Sequence, residues 1–214
     1  MRLRTRALVA FNMVILAMVI CVAILMYVTA NRGLNTALEM KAHTDVHQAL
    51  ELIDAKYPGP WDVRNNVLYK GHVKVTGNYE MVDMLKMVNE DHVTIFLGDT
   101  RVTTSFVGND GVRPVHTKAS ADVVKQVLDK QKEYIGYAEV LGNQYLCAYI
   151  PLYSVGDHPV GMLFVGIPTE KVEIAQDAFI RVAMDALIAM VAVVIAVAWM
   201  AINWMLQANN VNKG

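Results

Sequence analysis

Cysteine is nearly missing from this chain: Cys21 and Cys147 are the only two. Cys21 falls inside an apolar run and Cys147 in a stretch of strand character on the other side of it, so they cannot meet and no intrachain disulfide is expected. Cys/His spacing of the zinc type, a phosphate-cradling glycine loop and a nucleophile–base pattern are all missing, and the six histidines are scattered. These absences speak against an enzyme and against a resident cofactor or metal, and no nucleic-acid partner is expected. Acidic residues are missing from both ends: every one lies between two apolar runs, with Asp185 at the edge of the second. Glycine and proline are missing from Thr169 to Asn212, so nothing there interrupts a helix.

What is abundant is apolar surface. Of 214 residues 55% are hydrophobic and the mean hydropathy is +0.32, too apolar for an ordinary soluble domain. Ala7 to Ala30 is broken only by Asn12 and Thr29, and Ala186 to Leu206 only by Asn203. Each is long enough to cross a bilayer as a helix, which takes about 20 residues. Arg2, Arg4 and Arg6 precede the first run, which places the N-terminus in the cytoplasm and the middle of the chain outside. Trp199 and Trp204 suit the inner interface. The first run also ends in Val28-Thr29-Ala30, a signal-peptide-like pattern, but its apolar core exceeds the roughly 7–15 residues of a signal core. The division expected is a cytoplasmic N-terminus (1–6), a first span (7–30), an extracytoplasmic domain (31–180), a second span (181–206) and a cytoplasmic tail (207–214).

Within the middle, Asn31 to Lys56 reads as a stalk helix, with Leu34, Leu38, Val46, Ala49, Leu50 and Ile53 at helical spacing. His43 and His47 stand four apart on one of its faces, a spacing able to hold a metal, but no third ligand is evident and a plain solvated face is the favoured reading. Tyr57-Pro58-Gly59-Pro60 stops the helix, and Trp61 after it either packs into the core or walls a pocket. Asn65-Asn66 turns the chain, Val67–Tyr69 and Val73–Val75 after it are short strand candidates, and Tyr79 to Asn89 spaces Val82, Leu85 and Val88 as a helix. Ser120 to Lys130 is a second amphipathic helix with Ser120 as N-cap and Val123, Val124, Val127 and Leu128 buried. Five strands are expected: His92–Leu97, Thr100–Phe106, Tyr134–Leu141, Gln144–Tyr153 and Pro159–Ile167, antiparallel and in a meander-like order. Pro151 ends or edges its strand, and Thr169, with Glu170 and Glu173, opens a helix that runs on into the second span.

The stretch Asp91 to Thr117 carries the chemistry. Simple alternation after the Gly98-Asp99 turn puts Arg101, Thr103 and Ser105 on one face and Val102, Thr104 and Phe106 on the other. A guanidinium beside two hydroxyls can line a site for a small anion, with Arg113, His116 and Thr117 close behind. The plain alternative is a solvated arginine paired with Asp99 or Asp110. On a later strand Tyr145, Cys147 and Tyr149 share a face, as core packing or as pocket lining.

Tyr57-Pro58-Gly59-Pro60-Trp61, Leu68-Tyr69-Lys70-Gly71, Thr94-Ile95-Phe96 with Gly98-Asp99-Thr100-Arg101, Arg113 to Thr117, Tyr149-Ile150-Pro151 and Gly161 to Gly166 occur in the order seen in single-Cache sensor domains of bacterial chemoreceptors and membrane sensor kinases, and Leu34 to Ile180 resembles that family. The resemblance implies an α+β fold: a PAS-like five-stranded antiparallel sheet with a long N-terminal helix, flanked by two transmembrane helices. It also implies a pocket for small metabolites, built from the strand of Arg101, the loop before Thr117 and the strand of Tyr145 and Tyr149. His116 stands where such sequences carry a glycine. Family members continue into a HAMP pair and an output domain, whereas here Gln207 to Gly214 follow the second span. The expectation is a two-pass protein of the bacterial inner membrane that senses a small organic or amino acid through Arg101, Thr103, Arg113, His116, Thr117, Tyr145, Tyr149 and Trp61. It is expected to act as a homodimer and to signal through a membrane partner, as in chemotaxis. The competing class is an assembly subunit whose outer domain only packs against another protein.

Overall fold

The computed structural model describes the backbone of residues 2–211 and the side chains of 10–169, 180–200 and Asn203. Sequence readings that rest on the side chains of Arg2, Arg4, Arg6, Glu170, Glu173 and Trp204, or on residues 212–214, lie outside the described residues. The chain divides into two units, one made of residues 1–34 and 172–214 and the other of Asn35–Lys171.

The first unit is helical. Helix α1 (Arg2–Lys56) runs 55 residues and helix α4 (Glu170–Val211) 42. Both are long and apolar enough to cross a membrane, over Ala10–Lys56 and Ile180–Met200. Phe11, Met13, Leu25, Ile188, Val193 and Trp199 are exposed, so among the described residues no protein covers these apolar stretches of the two helices. Side chains of this kind are stable in that position only against lipid or another apolar surface.

The second unit is built on a sheet of strands β4 (His92–Leu97), β5 (Thr100–Thr104), β6 (Tyr134–Val140), β7 (Asn143–Tyr153) and β8 (Pro159–Pro168), following a small sheet of β1 (Trp61–Arg64), β2 (Val67–Lys70) and β3 (Val73–Lys74). All pairings are antiparallel, but the large sheet runs β5-β4-β8-β7-β6. A simple meander is therefore corrected: β8 returns to the middle and joins the β4–β5 and β6–β7 hairpins. Pro151 sits inside β7 opposite Met162, beyond Tyr149 where pairing to β6 ends, so its missing N–H faces an open edge.

One face of the large sheet carries the main core. Ala42, Val46, Ala49 and Ile53 of α1 and Met81, Val82 and Leu85 of α2 (Tyr79–Asn89) are fully buried there with Val93, Ile95, Leu163 and Val165. Fully burying such aliphatic side chains is worth roughly 1.5–3 kcal/mol each before the entropy cost of ordering them. Asn78 caps α2, its side chain accepting from the Met81 N–H at 3.2 Å, and Glu90 closes it at φ 60°. Val88, expected on the buried stripe, is exposed; Met81 takes its place. The other face is covered by α3 (Ala121–Val124) and the π-helical turn Lys125–Asp129, through Val123 and Val127. The wider π turn leaves Val124 and Leu128 only half-buried. One capping expectation is also corrected, since the Ser120 hydroxyl makes no capping bond; the Thr169 hydroxyl donates to the Gln144 carbonyl at 3.0 Å.

Candidate functional site

Side chains paired across neighbouring strands share a face of the sheet, so the register fixes which of them meet. On the face under the π turn one row reads Gly136, Cys147, Gly166, His92, and the next reads Tyr134, Tyr149, Phe164, Thr94, Thr104. The third reads Pro151, Met162, Phe96, Arg101. The glycines make room for rings. A Cβ on Gly166 would lie 2.6 Å from the Phe164 ring, and one on Gly136 2.7 Å from the Tyr134 hydroxyl. Phe164 meets Tyr149 edge-on at 4.8 Å and Phe106 at 5.9 Å, while Phe106 stacks on His92 at 4.1 Å. The result is a continuous aromatic layer containing few polar groups, among them the Thr94 and Thr104 hydroxyls bonded to each other at 2.7 Å.

Arg101 brings the charge to this layer. Its guanidinium lies 5.6 Å from the Phe96 ring centre and 6.0 Å from that of Phe106. One terminal nitrogen donates to the Pro114 carbonyl at 3.2 Å, while Nε is buried with no partner. Among the described residues no carboxylate pairs with it. Burial lowers the guanidinium's pKa from its ordinary value, but an arginine stays protonated in proteins. Burial pushes the Cys147 thiol up to about 12 and the Tyr149 phenol upward as well, so neither supplies a counter-charge at neutral pH. A cation thus sits among rings, desolvated and with a donor to spare. Such a group is costly to hold and binds a carboxylate strongly, because charge-assisted bonds gain strength where water is excluded.

A bulge places it there. Phe96 pairs with Arg101 but Ile95 pairs with Thr103, so Val102 is an extra residue on β5. Val102 turns to the main core and the alternation restarts out of step. Thr103 therefore lies on the opposite face, fully buried, its hydroxyl donating to the Asn78 carbonyl at 3.0 Å. The expected Arg101–Thr103–Ser105 face is corrected accordingly: Ser105 serves the backbone, its Oγ accepting from the Val93 N–H.

The remaining expected residues divide in the same way. Tyr145 and Tyr149 lie in the aromatic layer. Arg113 does not converge on Arg101: both its terminal nitrogens reach Asp83 at 2.7 Å, one also reaches the Thr104 carbonyl, and the guanidinium lies over Tyr79. It staples the loop to α2. His116 and Thr117 act through the backbone, the His116 N–H donating to the Arg101 carbonyl and the Arg101 N–H to the Thr117 carbonyl, both at 2.8 Å. His116 has φ 66°, the left-handed conformation that suits a glycine, as its position in the motif suggests. Trp61 belongs to the main core, under the Lys70 ammonium at 5.2 Å, and not to the aromatic layer. Sequence reasoning missed Phe96, Phe106, Phe164, Tyr134 and His92. Their shared face depends on the order of the strands, although alternation within each strand was readable.

Residues 73–178 match the family model described as single cache domain 3. Among solved structures the chain is similar to the sensor domain of DcuS from E. coli, with 15% identity over 48% of this chain and 73% of that one and a TM-score of 0.37. No curated protein matches the chain. The five-stranded sheet, the long N-terminal helix and the two apolar helices agree with that match to a single Cache domain, which spans residues 73–178 of this chain.

Proposed function

We propose that this is a membrane-anchored sensor whose outer domain binds a small carboxylate, an organic or amino acid, at Arg101. The observation that carries the reading is the buried Arg101 Nε without a partner, on a ring-lined face where, among the described residues, no carboxylate answers the charge. The reading places the protein in the bacterial inner membrane with two passes, both termini cytoplasmic and the Cache domain in the periplasm. It treats the protein as a binding module and not an enzyme, and pairs it as a homodimer along α1. Strand β8 leads through Thr169 into α4, and the Thr169 N–H and hydroxyl both donate to the Gln144 carbonyl on β7. A ligand on the β7 face therefore acts beside the start of the helix that enters the membrane, and it shifts that helix only by favouring one of two arrangements. A signalling membrane protein is the receiver.

The test is a panel of small carboxylates added to the detergent-solubilised full chain, with thermal unfolding and calorimetric binding as readouts. One or more acids should raise the melting temperature. Arg101→Ala should keep the fold and weaken that binding by roughly 1.5–3 kcal/mol, the worth of a charge-assisted bond. Normal binding by that variant would show that Arg101 is not the anchor. If no acid shifts the melting and the chain co-purifies with a partner regardless of ligand, the outer domain is an assembly surface.

A further inference from the structure

The π turn and β6 are joined by a short segment that brings a carboxylate to the stalk helix. Glu133 lies just before β6, its backbone carbonyl accepting from the Gln126 side chain at 3.3 Å. Its Oε2 meets His43 Nδ1 at 2.7 Å and stands 3.9 Å from His47 Nε2. The two imidazoles belong to successive turns of α1, with ring centres 4.5 Å apart. One ligand atom from each of the three residues can be chosen so that all lie within 4.8 Å of one another. Glu133 Oε1 is buried and makes no hydrogen bond.

An ordinary surface ion pair does not account for that set. It would need one histidine, and it would leave the carboxylate's second oxygen in water rather than buried without a donor. Two imidazoles and a carboxylate with an unused oxygen are the donor set of a tetrahedral or five-coordinate transition-metal site. Ligand atoms around a tetrahedral Zn2+ at about 2.0–2.1 Å stand roughly 3.4 Å apart. The pair now at 2.7 Å would open slightly and the pair at 3.9 Å would close, both within reach of side-chain rotation. The histidines are about half exposed, which gives an ion an entry path and leaves room for water as a further ligand. Calcium and magnesium are excluded by chemistry, since they take oxygen ligands.

We infer that the outer domain binds a divalent transition metal, of the Zn2+ class, through His43, His47 and Glu133. The ion would tie α1 to the segment entering β6, the strand whose partner β7 carries Tyr145 and Tyr149. Metal and carboxylate then act on the same sheet from different places, and the metal site stands whether or not Arg101 binds an acid.

The experiment uses the full chain in detergent, freed of metal with a chelator. ZnCl2 is added, thermal unfolding is followed, and bound zinc is counted after gel filtration. The expected result is one zinc per chain and a raised melting temperature, reversed by chelator. His47→Gln and Glu133→Gln should each lose the zinc and the shift while unfolding at the temperature of the metal-free parent. His158→Gln, on the turn before β8, should change neither. No retained zinc in the parent, or full retention in both variants, would overturn the assignment.

Discussion

Arg101 is held among Phe96, Phe106 and Tyr149 with no countercharge among the described residues, and a desolvated unpaired cation costs stability when nothing is bound. Arg101→Met, which keeps the apolar stem, should therefore make the ligand-free protein more stable, by roughly 0.5–2 kcal/mol. A fall in stability measured by urea unfolding would mean that the bond to Pro114 matters more than the buried charge. Two neighbouring residues set an opposed pair of pH responses. Burial, against the pull of Lys41 and with the push of Asp45, raises the Asp91 carboxyl from 3.8 to about 6. Burial, helped by the charge of Lys86 and resisted by a bond to Ser105, lowers His92 from 6.5 to about 4. Between these limits folded Asp91 holds a proton that the unfolded chain has released, so acidification favours the fold through this residue. Over nearly the same range the unfolded chain protonates His92 and the folded protein does not, so acidification opposes the fold through that residue. Asp91→Asn should lose stability more steeply than the parent as the pH falls from 6.5 to 4, and His92→Phe less steeply. Urea unfolding at a series of pH values decides it, and parallel curves for the two variants would refute both assignments.

Gly161 shows how tightly β8 is held at the element scale. It pairs with Leu97 of β4, and a Cβ there would lie 2.0 Å from the Phe96 carbonyl oxygen, a backbone atom that no rotamer change can move. Gly161→Ala should cost roughly 1–3 kcal/mol, the usual penalty of overpacking, seen as a lower melting temperature. An unchanged melting temperature would show that the strand yields there. The elements themselves were legible because each is a local pattern: helical spacing with a proline stop for α1, and alternation between glycine turns for β4 and β7. Tyr145, Cys147 and Tyr149 share a face for that reason. The bulge at Val102 was not legible, since one extra residue leaves no mark in composition yet reverses where Thr103 points. Partners far apart in the chain were equally hidden. Asp83 takes up Arg113, and Glu133, 90 residues from His43, supplies the third donor that the stalk helix lacks. The π turn escaped for a subtler reason: its sequence repeats well enough for an α-helix, and the backbone departs from one only over Lys125–Asp129, the turn that buries Val127.

At the scale of the whole molecule, the arginines at the start and the acids confined to the middle predict on which side of a membrane the unit Asn35–Lys171 lies. A reporter inserted at Gly108-Asn109, in the loop after β5, should be active outside, and one fused after Gly214 should be active in the cytoplasm. The reverse pattern would remove the sensor reading altogether. The strand order has a consequence for how the protein is made. β8 is the last of the five strands of this sheet in chain order and the central one, flanked by β4 on one side and β7 on the other. Until Pro168 has emerged, the nascent chain holds two hairpins with open inner edges and no sheet to unite them. Pairings of such long range close slowly, and open edges invite aggregation. The residues that follow at once are those of α4, so completion of the domain and insertion of the second apolar helix fall in the same interval of synthesis.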